Sequence, residues 1–307
     1  MQNINSKWEN FLTENYILYN IKPNIKKKKI KNFLKIIIYV IIIYLIYYCI
    51  NDFFNYNKKH TSHTALITIS GTISQKEEAN ANDIINLLNK SLKNNYVKGI
   101  ILKINSPGGT PVQSHMIYNH IIKLKKKNSK IKIYSIIEDI GTSGAYLIAS
   151  STNKIYSNQS SIIGSIGVIL NSFNFNNFIK KIGIEKKLFT SGKSKGILDP
   201  FSEQKLDELI IINKTLTIVH EEFIKYVKYG RGSRLKYNKD LFSGKVWIGK
   251  EALKIGLIDG YYNINSIAKN IIGEKNIFNY SKNNNLLNKI NKNINNIIKI
   301  NPLNLLL

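Results

Sequence analysis

Residues 131–146 read IKIYSIIEDIGTSGAY, and the order of the parts decides the fold. Ile131 to Ile137 reads as a β-strand that ends at Glu138-Asp139. Gly141-Thr142-Ser143-Gly144 then turns the chain into an apolar helix through about Ser150. Upstream, Thr64 to Ile69 (TALITI) alternates as a strand, Gly71-Thr72-Ile73 turns, and Ala81 to Leu92 carries a helical stripe at Ile84, Ile85, Leu87, Leu88 and Leu92. Val97 to Ile104 (VKGIILKI) is a second strand and runs straight into Asn105-Ser106-Pro107-Gly108-Gly109, followed by a helix from about Val112 to Lys126. Strand, turn and helix alternate, so the expected class is α/β. Two strands end in glycine-bearing loops that start helices, at 106–110 and 141–144. In open α/β sheets ligands gather at such strand ends, so both loops are expected at one site.

Downstream, Lys154 to Ser157 is a short strand, and Ile162 to Leu170 contains Gly164-Ser165-Ile166-Gly167. Glu203 to Lys228 makes a long amphipathic helix that Gly230-Arg231-Gly232 stops, and Phe242 to Gly260 is a turn–helix–turn. After about Ser266 the chain is rich in Asn, Lys and Ile. Leu287, Ile290, Ile294, Ile297 and Ile298 share one helical face there, which fits a docked helix, a membrane-surface helix or a low-complexity extension.

Phe33 to Phe54 (FLKIIIYVIIIYLIYYCINDFF) is the one membrane candidate. Its apolar centre, Ile36 to Ile50, is short for a span of about 20 residues. Lys35 snorkelling on one side and Tyr47, Tyr48, Phe53 and Phe54 at the other interface lengthen it. The segment begins too far into the chain for a cleaved signal peptide, and no small-residue cleavage site follows. Lys26 to Lys29, Lys31 and Lys35 precede it, so the positive-inside rule puts the N-terminus in the cytoplasm and the bulk of the chain outside. The expected division is a basic tail (1–32), an anchor in membrane lipid (33–54), a linker (55–63), a catalytic domain (64–262) and an Asn/Lys/Ile-rich extension (263–307).

The net charge is +26, from 45 Lys and Arg against 19 Asp and Glu. The excess is nearly all Lys, interleaved with Ile and Asn along the chain, which reads as solvated faces. It comes with no zinc-finger spacing or aromatic platform, so no nucleic-acid partner is expected. Cys49 is the single cysteine and lies inside the apolar segment, which rules out an internal disulfide or a cysteine metal cluster. No metal or cofactor is expected.

Ser143 sits between strand and helix, where small neighbours expose a hydroxyl and a helix start offers free N–H groups. A helix N-cap serine fits the same pattern. Gly108-Gly109 suits an oxyanion hole, with N–H donors placed where negative charge develops, although taken alone the pattern is more often a plain turn, here entered through Pro107. A serine nucleophile needs a base. His60, His63, His115, His120 and His220 have no motif company. Ser191-Gly192-Lys193-Ser194-Lys195-Gly196 offers two lysines among small residues. A lysine is a base only when neutral, which apolar burial favours. In so Lys-rich a chain, these residues by themselves select neither Lys193 nor Lys195.

Taken together, five segments resemble the signal peptide peptidase A family in its short, single-repeat form: INSPGG (104–109), GTSGAY (141–146), IIGSIGV (162–168), SGKSKGILDPFSE (191–203) and LFSGKVWIGKEALKIGLIDG (241–260). The resemblance covers about residues 64–262 and implies the Clp-protease and crotonase-like α/β superhelix. It implies Ser143 as nucleophile, Lys195 as general base with Lys193 its neighbour, Gly109 and Gly144 as the oxyanion hole, and Ser165 orienting the lysine. It also implies a homo-oligomeric ring whose neighbouring subunits share a site, and peptide substrates such as signal peptide remnants. Thr142 and Ala145 stand where small residues are usual, and neither blocks the serine. Two other readings fit the fold: a crotonase-like acyl-CoA enzyme, which would need no Ser143, and an inactive membrane scaffold.

Overall fold

The computed structural model describes residues 10–16 and 22–281. The chain divides into two units, Met1–Thr61 and Ser62–Leu307. In the first, Lys22–Lys59 forms one continuous helix, α1. Its stretch Lys31–Tyr48 is long and apolar enough to cross a membrane, and none of it is buried within the protein. The side chains of Lys26 to Lys29 and Cys49, and the apolar positions of the tail after residue 281, lie outside the described residues.

The second unit is built on a mixed sheet, so the α/β expectation holds. Its strands are β1 (His63–Ser70), β2 (Val97–Ser106), β3 (Lys132–Thr142), β4 (Lys154–Ser157), β5 (Ile162–Gly164), β6 (Val246–Ile248), β7 (Gly260–Tyr261) and β8 (Ile277–Asn279). The order is β6-β5-β3-β2-β1-β8, with β4 pairing β3 and β7. All pairs are parallel except β5 with β6. Parallel strands covered on both faces read as unbroken apolar runs. Accordingly Ile100, Ile101, Leu102 and Ile104 of β2 are all fully buried.

The crossovers are α2 (Ala81–Leu92), α3 (Pro111–Lys127) and α4 (Gly144–Ser150). Asn80 caps α2 by accepting the Asp83 N–H, and Ile84 and Leu88 are buried on its inner face. Pro111 opens α3, where its missing N–H costs nothing, and Lys125 to Lys127 close it. Every residue of α4 is buried, so it is the central helix of the core. The long helix α6 (Leu206–Arg231) adds Phe223 and Val227 to that core. A shorter helix, α5 (Asn176–Lys181), precedes it, and α7 (Gly249–Lys254) follows β6. The opposite sheet face carries a smaller cluster of Ile101, Ile136, Tyr156, Ile267 and Ala268.

Two boundaries differ from the sequence reading. Strand β3 continues past Glu138-Asp139 to Thr142, because Lys103 pairs with Glu138 at 3.0 Å and Asn105 serves Asp139. Residues 263–281 are part of the sheet unit: β8 pairs with β1, and Tyr280 is buried against His63.

Candidate active site

Strand β3 delivers Ser143 directly to the N-terminus of α4. Ser143 has φ 52° and ψ −126° and its side chain accepts no capping N–H, so the N-cap alternative is not what the hydroxyl does. A positive φ at a residue with a Cβ is strained and persists only where surroundings impose it. The surroundings are visible: the Ser143 N–H donates to Gly164 O at 2.8 Å, and Ser143 O accepts from Leu147 N at 3.0 Å. Ser143 itself is only partly exposed, between buried Thr142 and buried Gly144.

The loop 106–110 packs over this turn. Gly108 has φ +104°, and a Cβ there would lie 2.7 Å from Ser143 Cβ and 2.9 Å from Gly144 N. Both backbone shape and space therefore require glycine. Gly109 forms a parallel bridge with Ile73. Ile73 N donates to Gly108 O at 2.8 Å, and Thr110 N donates to Ile73 O at 2.9 Å. A Cβ at Gly144 would sit 3.4 Å from Gly109 N, so the two N–H groups are neighbours. Among the described residues neither N–H has an acceptor. The two glycine loops thus meet at one place, with a hydroxyl and two unengaged amide donors. A Gly109→Ala substitution would press its methyl against Ile73 O, 2.0 Å away. Displacing that amide is expected to cut turnover roughly 10²–10³-fold, read as kcat on a peptide substrate.

Ser165 also lies beside the serine. It has φ 49°, follows the Gly164 that accepts the Ser143 N–H, and donates its own N–H to Lys245 O at 2.9 Å. Behind it, Trp247 is buried and Lys245 Nζ stands 4.3 Å from its ring centre.

Lys195 is placed differently. It is exposed on a turn closed by Lys195 N to Gly192 O at 3.1 Å and Asp199 N to Gly196 O at 3.1 Å. Asp199 is held below the usual carboxylate range by hydrogen bonds from Lys186 and Ser202. Lys193 is 91% exposed and 3.9 Å from Asp207. Among the described residues no hydrogen bond joins Lys195 to Ser143. Nearly all of residues 169–205 lies outside the core.

Four of the histidines engage other groups. His63 meets Tyr280 Oη at 3.1 Å, His120 meets Asn89 at 2.9 Å, and His220 meets Ile166 O at 3.1 Å. His115 stacks on Tyr226 at 4.6 Å, and burial lowers its pKa against an opposing pull from Glu222. Burial, then Arg234 and Lys132, brings Lys125 down to about 8. Its Nζ donates to Ser151 O at 2.7 Å and Thr152 O at 3.2 Å, closing the far end of α4. That end is about 10 Å along the helix from the serine, too far for Lys125 to act on Ser143.

The sequence reading missed Ile73, which looks like a turn residue yet pins the glycine loop. It also missed Thr142, whose Oγ1 donates to Pro107 O at 3.0 Å. Neither carries a signal in residue type alone.

Comparison with known proteins decides the family. Residues 125–277 match peptidase family S49. The chain belongs to peptidase family S49. Similar proteins include the Na(+)/H(+) antiporter NhaA of Brucella abortus, 37% identical over 213 residues, which is 69% of this chain and 28% of that protein. Most of that protein lies outside the match. The "Putative signal peptide peptidase SppA" of Enterococcus faecium is 29% identical over 62% of this chain and 55% of its own length. Protease 4 of Haemophilus influenzae is 29% identical over 64% of this chain and 32% of its own length. The chain thus spans less than two thirds of the length of these relatives. The S49 match runs from the end of α3 to the first residue of β8, and so includes Ser143, Ser165 and Lys195.

Proposed function

We propose that this S49 chain is a membrane-anchored serine endopeptidase that cleaves apolar peptides, such as signal peptide remnants. The observation that carries this reading is the strained Ser143 turn beside two unengaged amide donors, Gly109 and Gly144. In the proposed reaction Ser143 Oγ attacks the peptide carbonyl carbon and gives its proton to Lys195 Nζ. The carbonyl oxygen becomes an oxyanion between the Gly109 and Gly144 N–H groups. Collapse breaks the C–N bond, and the amine leaves with the proton from Lys195. Water then attacks the acyl-serine, again with Lys195 as base, and releases the acid. Ser165 is suited to hold the lysine in line.

Lys195 reaches the serine of a neighbouring copy in this reading. The segment that carries it presents Ile169, Phe173, Phe189 and Leu206 at 77–89% exposure. An apolar surface of that kind calls for a partner, and a second copy would also desolvate the lysine, which must be neutral to act. The wider fold is then the Clp-protease and crotonase-like superhelix closed into a ring. α1 anchors it, with the lysine-rich N-terminal side in the cytoplasm and the sheet unit outside.

Ser143→Ala and Lys195→Ala are each expected to abolish peptide cleavage by the full-length protein in detergent while leaving its far-UV circular dichroism unchanged. A fluorophosphonate probe should label wild type and not Ser143→Ala. Cleavage that survives either substitution would sink the dyad. Failure of the assembled wild type to label favours the scaffold.

A further inference from the structure

The pairing of β2 with β3 slips next to the site. Ile104 faces Ile137, but Ser106 faces Gly141, so β3 advances four residues while β2 advances two. Asn105 serves the extra backbone: its Nδ2 donates to Asp139 Oδ2 at 3.1 Å, and its Oδ1 accepts from Ile140 N at 3.3 Å. A bulge of this kind bends a strand and re-aims its side chains. Beyond the bulge β3 leaves β4 and pairs with β5, with Thr142 opposite Gly164. There the buried Thr142 meets the glycine loop, and its Oγ1 donates to Pro107 O at 3.0 Å.

We propose that Thr142 is a positioning residue for the oxyanion pocket, its hydroxyl fixing the loop that aims the Gly109 N–H. The proposal rests on the serine-peptidase reading above. Two successive peptide groups set the direction of that N–H. The Pro107–Gly108 peptide is held at both ends: its carbonyl accepts from Thr142 Oγ1, and its N–H donates to Ser106 Oγ at 3.1 Å. In the Gly108–Gly109 peptide the carbonyl accepts from Ile73 N at 2.8 Å. A planar trans peptide points its N–H opposite its C=O. The Gly109 N–H therefore points away from Ile73, on the side where Gly144 lies.

Gly108, at φ +104°, has no side chain to bias its own dihedrals, so this direction depends on what grips the loop from outside. Ile73 grips one peptide and Thr142 the other. Thr142 also immediately precedes Ser143, so a single residue ties the nucleophile to the donor across the cleft. An oxyanion donor contributes only when held where the charge will develop, so loosening it should slow chemistry and leave substrate binding in place.

The test compares Thr142→Val, Thr142→Ala and Thr142→Ser in the full-length protein in detergent. It measures kcat and KM on an apolar peptide and the rate of inactivation by a fluorophosphonate. Thr142→Ser keeps the hydroxyl and should stay within about twofold of wild type in both rates, while Thr142→Val and Thr142→Ala should lose about tenfold in kcat and in labelling with KM within about twofold. Should the valine variant fail to fold, the smaller alanine variant decides. Wild-type turnover in Thr142→Ala overturns the proposal whatever its melting temperature, and so does a serine variant as slow as the alanine one. A wild type that neither cleaves nor labels removes the serine-peptidase reading itself, an outcome distinct from both.

Discussion

An Arg231→Met variant should unfold about 3 kcal/mol more easily than wild type at pH 7, a shift of about 6–12 °C in melting temperature for a domain of this size. Arg231 is 1% exposed, at the end of α6. Its Nη1 and Nη2 reach Asp259 at 2.7 and 3.1 Å, and its Nε donates to Gly256 O at 2.9 Å. Asp259 in turn accepts from Ile155 N at 2.7 Å. The pair therefore joins α6, β4 and the turn before β7. Nearby, Tyr146 of α4 donates to Leu257 O at 2.8 Å, so the network also braces the helix that begins at Ser143. Methionine fills most of the arginine's volume but leaves the carboxylate without its two-pronged partner. The cost comes from a buried carboxylate left with only Arg234, 3.5 Å away, and the Ile155 N–H, rather than from lost packing.

The pH dependence gives the sign. Burial works against the charged form of Asp259, but hydrogen bonds and charge from Arg231, the Ile155 N–H and Arg234 outweigh it. They hold the carboxyl below the usual range. A depressed native pKa stabilises fully above the ordinary carboxylate value of about 4, and the contribution is lost as pH falls through the native value. The gap between wild type and Arg231→Met should therefore be widest near pH 7 and close in acid. Urea midpoints at pH 7 and pH 3 measure it. Equal midpoints at pH 7 would mean that the buried pair adds nothing.

Much of this frame could be read from local patterns, because parallel strands advertise themselves. VKGIILKI and IKIYSII are buried β-branched runs, and both lead into glycine loops that meet at Ser143. What escaped reading depends on contacts between distant segments. Glu138-Asp139 looks like a strand end, yet each carboxylate has a partner on β2 that lets β3 continue. Tyr280 lies in an Asn- and Lys-rich stretch whose composition hides it, and His63, Asn94 and the Leu66 carbonyl across the fold give it a role. Ile73 gains its importance from Gly109 alone. Lys195 is a different case. Neither its residue type nor its surroundings in one chain set it apart from other exposed lysines, and the ordered family motifs single it out. In the proposed ring the base becomes dry and oriented only on assembly, which would leave no trace in the environment of the isolated chain.

Ser143→Ala and Lys195→Ala, each inactive alone, should regain cleavage when co-expressed and assembled together. If one protomer supplies the serine and its neighbour the lysine across a head-to-tail interface, about a quarter of the sites in an equal random mixture carry both intact groups. Each such site draws its serine from a Lys195→Ala subunit and its lysine from a Ser143→Ala subunit. A dyad within a single chain gives no recovery at any ratio, since every chain then lacks one half. The comparison therefore separates the two arrangements without any knowledge of ring size. The apolar residues around Lys195 supply the second arm: Phe189, 89% exposed, should be needed for assembly and not for folding. Phe189→Asp in otherwise wild-type protein should lower the oligomer mass by light scattering and abolish cleavage with the sheet unit intact. A fully active monomer of that variant would place the base elsewhere and return Lys195 to the exposed surface lysines it resembles.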